Sequence, residues 1–504
     1  MSADLQVYFE DSPNEIVAAL EGVVRHLPPA GDDEALAVGY LFVLQGLLEH
    51  LRYRIDRGYA DAAALIADFQ AAVAAQAQAG RIDRHVLPLV AGALQQARIP
   101  ASPELVAVSE KLATDQARET APAEADIDAA IAGMVAAAGG DPFLLVEELA
   151  ELGHAMSGQV RGELAASLAC AGPPEGRSAA VLFLLDPDAT VRHAAAQALE
   201  QVAATLSPSD VRRLIAMRNW RPEKERAEID SVIRVARAAG VECAQWPAGG
   251  TEAILASTID GAASQGFLLL SPTGRKKRLS SILTKGGIAD AWSGKPETRR
   301  QIESKLAVGM DAPMLAVSRQ YLDRWAAHHL WLGLERGQTP PAGLLQVAET
   351  IGGADWQPAA TIFDDALAAL IAGIPGTMRG SGTVATILRR SGELADLAHI
   401  EEAWFEDDPE IARIVADAGG ASRRRLATYL LQTVIARRRD KWADLFCRTA
   451  SWLREASAER DLCWPDLAIV AKAVAEGAEL TDIGLMRNIA SRTIEVLRDT
   501  SSTR

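Results

Sequence analysis

Aromatic side chains are scarce in this 504-residue sequence, in which Phe, Trp and Tyr together make up 5% of the residues. Strand-rich folds normally use more aromatic residues and more threonine, so this scarcity argues against an all-β protein. Apolar residues still make up 49% of the chain, and most of them are Ala, Leu, Val and Ile. That share is too high for a largely disordered chain. Because alanine has the highest helix propensity, the composition predicts a protein built mainly from packed α-helices.

Cysteine pairs, a signal peptide and a long apolar run are also missing. The four cysteines are widely spaced and form no C-x-x-C motif, which argues against a zinc site or a disulfide framework. The first residues lack the basic start and the apolar stretch of a signal peptide. The most apolar run, 35–48, contains Gln45 and is shorter than the ~18 residues of a membrane span. We therefore expect a cytoplasmic protein without a metal, another cofactor or a membrane partner.

Motifs of known enzyme classes are missing as well. The sequence contains no H-E-x-x-H and no G-x-S-x-G, which mark zinc proteases and serine nucleophiles. Gly380 opens a short glycine-rich stretch, but no lysine stands at the Walker position. His328 and His329 are adjacent, so on a helix they point about 100° apart and cannot chelate one metal together. We therefore expect no catalytic residue, and an enzyme with an unrecognised site stays open as an alternative.

A repeated helical pattern is present in the middle of the chain. The pattern that runs from Ser157 through Arg161 to Leu168 recurs 31 residues later, from Asp188 to Leu199. The second copy resembles the HEAT-repeat family, with an Asp as helix cap, a buried Val, a polar Arg and a Leu on the packing face. These residues are Asp188, Val191, Arg192 and Leu199. In that family the Asp and the Arg help to tie neighbouring repeats together. The resemblance, limited to about residues 157–200, implies stacked helix pairs, because one pair cannot bury its apolar face alone.

Shifts in composition divide the chain into five predicted segments. All ten tryptophans lie from Trp220 onward, and a polar, Ala-rich stretch precedes the repeats. The fold class that we predict is all-α, a HEAT-like helical solenoid or array with one small β-hairpin. The predicted segments are an N-terminal helical domain at 1–112, a linker at 113–126, HEAT-like repeats at 127–247, a small β element with a basic cluster at 248–295, and a C-terminal helical domain at 296–504.

The predicted β element carries the most basic part of the sequence. β-prone runs at 253–259 and 267–271 precede a Pro-Thr-Gly sequence that is typical of a hairpin turn. Residues 272–300 contain eight basic and two acidic residues, so the hairpin is a candidate site for an anionic partner. The candidate binding residues are Arg275, Lys276, Lys277, Arg278 and Lys285. A nucleic acid or an acidic protein surface is one interpretation, and a solvated hairpin tip is the other.

Two further groups of residues invite a functional interpretation. Trp325, Trp331, Trp442 and Trp452 lie on predicted helices. They are candidates for a protein interface, since tryptophan is enriched in binding hot spots, and burial in the core is the alternative. The basic groups at 423–425 and 437–439 follow acidic groups at 401–402 and 406–410. We expect the basic and acidic groups to compensate each other between neighbouring helices.

These patterns favour a non-catalytic protein-binding scaffold or adaptor, since solenoids bind partners through extended concave surfaces. Another protein is the expected partner. Nucleic-acid binding through the basic segment at 275–300 is the first alternative, and an enzyme is the second. Salt separates the first two, because binding to phosphates weakens steeply with ionic strength and binding through an apolar interface does not.

Overall fold

The structure of the chain is a computed structural model. It describes residues 13–27, 34–56, 60–82, 86–97, 99–120, 127–153, 156, 158–170, 172–309, 313–353, 356–394, 403–456 and 463–502. The described residues form two compact units. The first consists of the described part of Met1–Leu184 and of Asp188–Leu206, and the second consists of Leu185–Pro187 and of the described part of Ser207–Ser502. This division falls inside the segment 127–247, and the five segments inferred from the sequence stay predictions.

The described residues of the first unit form ten α-helices. They are α1 (Ile16–His26), α2 (Glu34–Asp56), α3 (Ala60–Gln78), α4 (Val86–Gln96), α5 (Pro103–Thr120), α6 (Ile127–Ala137), α7 (Pro142–Gly153), α8 (Gly158–Cys170), α9 (Pro174–Leu182) and α10 (Ala189–Gln201). An apolar core joins α1–α5 and includes Leu20, Leu48, Phe69 and Val90, which are all fully buried. The alanine and leucine content that predicts helices therefore also supplies this core.

Helix α5 is longer than the sequence predicts. It begins at Pro103 and ends at Thr120, so it includes most of the segment 113–126 that is expected to be a linker. Ala113 and Ala117 favour the helix over a coil. The rest of that segment, 121–126, lies outside the described residues.

Among the described residues, no single helix is both long and apolar enough to cross a membrane. The helical stretches Ala129–Ala137 and Pro142–Ala150 reach that length and composition only together, and the chain bends by 104° between them. Gly139 and Gly140 form the bend with φ of 62° and 75°, a left-handed conformation that favours glycine.

The described residues of the second unit form twelve α-helices and one β-sheet. The helices are α11 (Pro208–Met217), α12 (Glu223–Ala238), α13 (Arg299–Gly309), α14 (Arg319–Glu335), α15 (Gly343–Thr350), α16 (Phe363–Ala372), α17 (Ser381–Arg390), α18 (Pro409–Asp417), α19 (Arg423–Gln432), α20 (Arg439–Ala456), α21 (Trp464–Ala475) and α22 (Gly484–Ser502). The protein is therefore predominantly α-helical, as the composition predicts.

The sheet is larger than the single hairpin predicted from the sequence. Its strands are β1 (Ala253–Ser257), β2 (Gln265–Thr273), β3 (Lys276–Thr284), β4 (Ile288–Ser293) and β5 (Met314–Ala316). They pair in the order β4-β3-β2-β1-β5, and every pair is antiparallel. The predicted fold class therefore needs a correction: the protein contains a five-stranded antiparallel sheet. Its last strand lies inside the segment 296–504 that is expected to be entirely helical.

The hairpin of β2 and β3 confirms the turn predicted after Pro272. Gly274 has φ of 59° and occupies the first position of a two-residue turn, where the strand twist requires a positive φ. The register places Thr273 opposite Lys276 and Phe267 opposite Ile282. The basic residues of the hairpin therefore lie at its turn and at the start of β3.

One face of the sheet packs into the core of the second unit. Phe267 is 1% exposed and Ile282 is fully buried, and alternate residues along both strands share this burial. The ring of Phe267 lies 6.2 Å from the ring of Tyr321 of α14, measured between centroids. Trp452 of α20 donates its indole N–H to the backbone oxygen of Ala256 at 3.3 Å. Helices α14 and α20 thus cover the same sheet from distant parts of the sequence.

Helices α11 and α15 are joined by a nearly buried ion-pair group. Arg212 Nη2 lies 2.6 Å and Arg213 Nε 2.7 Å from Glu349 Oε1. Burial raises the pKa of Glu349, but the hydrogen bonds and charges of the two arginines outweigh this effect and hold the pKa below its usual value. The carboxylate is therefore charged at neutral pH and fixes the two helices to each other.

Candidate functional site

The basic hairpin presents only part of its charge to solvent. Arg275 and Lys276 are exposed, whereas Lys277 and Arg278 are half-buried. Lys277 Nζ lies 2.5 Å from Glu252 Oε1, so one of the predicted cations already has a carboxylate partner. Lys285 is exposed beyond the other end of β3.

Two more ion pairs form at the start of α13, which follows the hairpin. Lys305 Nζ lies 2.6 Å from Glu297 Oε1, and Arg299 Nε lies 2.7 Å from Glu303 Oε1. The backbone of Glu297 also bridges to Lys277. Lys277 and Arg299 therefore have carboxylate partners from outside residues 272–300, whereas Glu297 pairs with a cation from outside this range.

Three of the four candidate interface tryptophans lie in the core. Trp325, Trp442 and Trp452 are 3%, 0% and 1% exposed, so they do not form a surface for a partner. Trp331 is half-buried, and its ring stacks on that of His328 at 5.9 Å. Burial, the alternative interpretation from the sequence, describes the first three residues, because a large apolar ring on a helix is normally covered.

The basic group at 437–439 and the acidic group at 406–410 compensate each other, as the sequence predicts. Arg423 of the other basic group pairs instead with Glu495 of α22, and residues 401–402 lie outside the described residues. Glu406 is fully buried and accepts hydrogen bonds from Arg438 Nη1 at 2.9 Å, Lys441 Nζ at 3.0 Å and Trp442 Nε1 at 2.6 Å. Arg438 also pairs with Asp408. These residues hold the segment before α18 against the start of α20 and are structural.

The residues of the repeat pattern lie at the contact between α8 and α10. Asp188 Oδ1 accepts a hydrogen bond from the backbone N–H of Thr190 at 2.8 Å and so caps α10. Asp188 Oδ2 also lies 3.8 Å from Arg161 Nη2, the arginine of the first copy. Val191, Arg192 and Leu199 are 0%, 4% and 0% exposed. Ser157, the first residue of the pattern, lies outside the described residues.

The second unit contains an open groove between α16 and α21, which we call the α16–α21 groove. Its volume is about 560 Å³, within the range of roughly 300–1,000 Å³ that is typical of ligand sites. Its apolar lining consists of Phe363, Leu367, Ala368, Ile371, Ala372 and Ala475. Ala368 and Ala372 are exposed, so the floor of the groove is accessible.

Charged side chains lie along the same groove. Asp364 is in the first turn of α16, where the helix dipole favours an acidic residue. Arg379 donates from Nε to the backbone oxygen of Ile374 at 2.9 Å, so its guanidinium has a fixed position. Lys472 of α21 pairs with Glu476, the residue that directly follows this helix. The groove therefore combines an apolar floor with charges of both signs.

A second group of side chains, the Arg448 cluster, lies between α14 and α20 and consists of Tyr321, Trp325, His329 and Arg448. Arg448 is 5% exposed, and its Nη2 lies 2.9 Å from His329 Nε2. Its guanidinium carbon lies 4.7 Å from the centroid of the Trp325 ring. Burial, the charge of Arg448 and the neighbouring His328 lower the pKa of His329 to about 2. His329 is therefore neutral at physiological pH and accepts a hydrogen bond from Arg448.

The described residues contain no group of three or more His, Cys, Asp or Glu placed to hold a metal ion. His328 and His329 do not face a common site: the backbone N–H of Thr361 donates to His328 Nδ1 at 3.1 Å, while His329 faces Arg448. Burial lowers the pKa of His328 to about 4. The two histidines thus have separate partners, as their adjacent positions on one helix predict.

Comparisons with known proteins give two partial matches. Residues 364–498 are similar to the family described as the Y4lR C-terminal helical domain, and residues 158–240 are similar to the Y4lR second domain. No curated protein and no solved structure shows a significant match to the chain. The first match includes Arg448 and, apart from Phe363, the lining of the α16–α21 groove. The second includes Asp188 and the helices α8 and α10.

Sequence reasoning missed both the groove and the Arg448 cluster. Phe363, Leu367 and Ile371 follow each other at intervals of four residues, but a stripe of this kind also occurs on any helix that packs into a core. Arg448 stands alone in its sequence neighbourhood, and its partner His329 precedes it by 119 residues. Neither site therefore has a local pattern by which it can be recognised.

Proposed function

We propose that this chain is a non-catalytic protein-binding scaffold and that the α16–α21 groove receives an amphipathic helix of its partner protein. The single observation that carries the proposal is the accessible apolar floor of the groove, with a volume of about 560 Å³. A helix that binds in a groove presents apolar side chains at positions i, i+3 or i+4, and i+7. A cytoplasmic location with another protein as partner belongs to the same proposal.

The charges of the groove support a partner of amphipathic character. Asp364 and the Lys472–Glu476 pair lie beside the apolar lining. Polar groups at the edge of an apolar site set the orientation of the ligand more than its affinity. We therefore expect the partner helix to carry charged residues of both signs next to its apolar face.

We also propose that α8–α10 form a HEAT-like stack. Arg161 of the first copy approaches Asp188 of the second copy at 3.8 Å, which is the kind of link that the HEAT resemblance implies. A Cβ atom added at Gly162 would lie 3.1 Å from the Cβ of Ala194, so α8 and α10 approach each other closely. Repeats of this kind serve binding in other proteins, which supports the scaffold proposal.

The experiment that tests the groove uses two neighbouring alanines of α16. Ala368 and Ala369 are both exposed, but only Ala368 lines the groove. Helical peptides would be selected for binding to the full chain from a displayed library, and the affinities of the enriched peptides would be measured by fluorescence anisotropy. We expect Ala368→Glu to weaken binding at least about tenfold, which corresponds to about 1.4 kcal/mol, because it places a charge on the apolar floor.

Ala369→Glu is the matched control and should leave the affinity unchanged. The selected peptides should share apolar residues at the spacing of one helix face. Equal affinities of the selected peptides for the two variants would contradict the proposal that they bind in the groove. Selected peptides without apolar residues at the spacing of one helix face would contradict it as well.

Nucleic-acid binding by the basic hairpin stays a second candidate function. Arg275 and Lys276 are exposed at the turn of the hairpin, where they are accessible to phosphates. Two other cations of the segment, Lys277 and Arg299, already pair with Glu252 and Glu303, which weakens the case for this candidate.

A further inference from the structure

Helix α2 of the first unit exposes a cluster of large apolar and aromatic side chains. In the part of the chain that the structure describes, nine such side chains are exposed, and five of them belong to this helix. They are Leu36, Val38, Tyr40, Phe42 and Tyr53, with exposures between 36% and 60%. Because a helix that is apolar on all sides is normally buried, we expect another surface to cover the first part of α2.

One side of α2 packs into the core, and the opposite side is open. Leu44 and Leu51 are fully buried in the core of the first unit. Successive residues of a helix are about 100° apart, so four exposed residues share an arc of about 100° on the side that faces away from these leucines. We call them the α2 face: Ala35, Val38, Gly39 and Phe42.

The α2 face carries no charge, which defines the chemistry of its partner. The sequence contains no charged residue between positions 35 and 48, so this surface offers no ion pair to a charged ligand. Burial of a charge against it without a partner would be unfavourable. The partner must therefore present an uncharged apolar surface as well, and α2 of a second copy of the chain presents one.

The shape of the α2 face fits a second copy. A Cβ atom added at Gly39 would have no heavy atom within 4 Å, so the surface at this glycine is open. Phe42, which is 49% exposed, lies about one turn further along the helix. If a two-fold axis between residues 40 and 41 relates two antiparallel α2 helices, each Phe42 meets the open position at Gly39 of the other copy.

The exposed area is that of a small interface. Large side chains have surfaces of about 150–250 Å² each, and Leu36, Val38, Tyr40 and Phe42 are about half exposed. They leave roughly 350 Å² uncovered, to which the exposed Ala35 and Gly39 add. Two copies would bury about 800–1,000 Å², the size of a weak and reversible interface.

We propose that the chain forms a two-fold symmetric dimer through the α2 face, in which Phe42 of each copy packs at Gly39 of the other. This interface is independent of the α16–α21 groove, because none of its residues lines that groove. Each copy has a formal net charge of −16, so the copies repel each other at long range. Salt screens this repulsion and therefore strengthens the dimer.

Sedimentation equilibrium of the full chain tests the proposal between about 1 and about 300 µM protein, because interfaces of this size bind weakly. We expect a reversible dimer with a dissociation constant of roughly 10–100 µM, which is tighter at about 0.5 M than at about 0.05 M salt. Phe42→Glu should weaken the dimer at least about tenfold, because it places a charge in an apolar interface. The matched control is Tyr429→Glu on α19, where an equally exposed ring is replaced by the same charge.

Gly39→Leu tests the packing at the open position. Leucine favours a helix over glycine and has room in the single chain, so this variant should fold. Its side chain occupies the place of Phe42 of the other copy, and we expect the dimer to weaken at least about tenfold. Gly133→Leu, at an open position of α6, should dimerise like the wild type.

Ala368→Glu in the α16–α21 groove should also dimerise like the wild type, and loss of its dimer would place the contact in the groove and overturn the proposal. Unchanged dimerisation of Gly39→Leu, or equal dimerisation of the Phe42 and Tyr429 variants, would overturn it too. A chain that stays monomeric over the whole concentration range would do the same and leave a different protein or a lipid surface as the partner of the α2 face.

Discussion

Glu406 is a buried carboxylate that serves three donors at once. Glu406→Gln would leave Arg438 and Lys441 without their shared anion. Their side chains are 28% and 41% exposed, so water screens part of the loss. We therefore expect the free energy of unfolding to fall by about 2 kcal/mol, less than the roughly 3–5 kcal/mol for a fully buried pair. Urea unfolding would measure this change.

The control for Glu406 is Glu410, whose carboxylate pairs with Arg437 at the surface. Glu410→Gln should change the unfolding free energy by less than about 1 kcal/mol, because exposed ion pairs contribute little. Equal losses in the two variants would contradict the distinction between a buried and an exposed carboxylate.

His329 makes the stability of the second unit depend on pH. Its pKa in the folded protein is about 2, whereas a histidine in an unfolded chain has a pKa of about 6.5. Between these two values the unfolded state binds more protons than the folded state. Stability therefore falls as the pH drops below about 6.5, by at most about 1.4 kcal/mol per pH unit for this residue.

His329→Gln keeps an acceptor for Arg448 and removes this titration. We expect the unfolding free energy of the variant to fall less steeply than that of the wild type between about pH 6 and about pH 4. A residual slope should persist, because His328, with a pKa lowered to about 4, is present in both proteins. Parallel pH profiles measured by urea unfolding would contradict the low pKa of His329.

Among the helices, α8 and α10 approach closely at Gly162. A leucine there would force Ala194 and the backbone of Val191 away, since even its Cβ would lie 3.1 Å and 3.7 Å from them. We expect Gly162→Leu to lower the unfolding free energy by about 1–3 kcal/mol, although leucine favours a helix over glycine. Gly133→Leu, at an open position of α6, should not destabilise the protein. Thermal unfolding measures both, and equal stability of the two variants would argue against close packing.

Elements with a local signal could be predicted from the sequence, and elements with distant partners could not. The β2–β3 hairpin follows from its turn residues, and the cap of α10 follows from Asp188. Strand β5 has only three residues and pairs with Leu255–Ser257, far away in the sequence. No local pattern marks so short a strand, and the sequence of the segment 296–504 predicts only helices.

The candidate sites could be predicted from the sequence only where their residues are close together in the chain. The hairpin cations could be found because they are consecutive in the sequence, but their pairing with Glu252 required the folded sheet. The groove lining and the Arg448 cluster depend on which helix faces lie opposite each other. Tryptophans beside charged residues on predicted helices indicate an interface when only the sequence is considered. In the structure Trp325, Trp442 and Trp452 are buried, so their rings belong to the core.

Over the whole molecule, a formal net charge of −16 opposes general attraction of nucleic acid, so any such binding would depend on the hairpin. Because Lys277 is already paired, we expect full-length protein to bind a single-stranded oligonucleotide only weakly at low salt. Arg275→Glu combined with Lys276→Glu should not change this binding. Fluorescence anisotropy across a salt series would measure it.

The matched control reverses two exposed arginines of α19, Arg424→Glu and Arg425→Glu. Tight, salt-sensitive binding that is lost in the hairpin variant and retained in the α19 variant would replace the scaffold proposal with nucleic-acid recognition. Because all four positions are at the surface or in the first helical turn, both variants should fold.

The bond between Trp452 and Ala256 joins residues that are 196 positions apart. A ribosome that adds about 5–20 residues per second needs roughly 10–40 s to make the intervening chain. During that time the sheet has been synthesised, but the helix that covers β1 has not. The part of the apolar sheet face that α20 covers therefore stays exposed until α20 is made, and apolar surface that is exposed in this way is prone to aggregation.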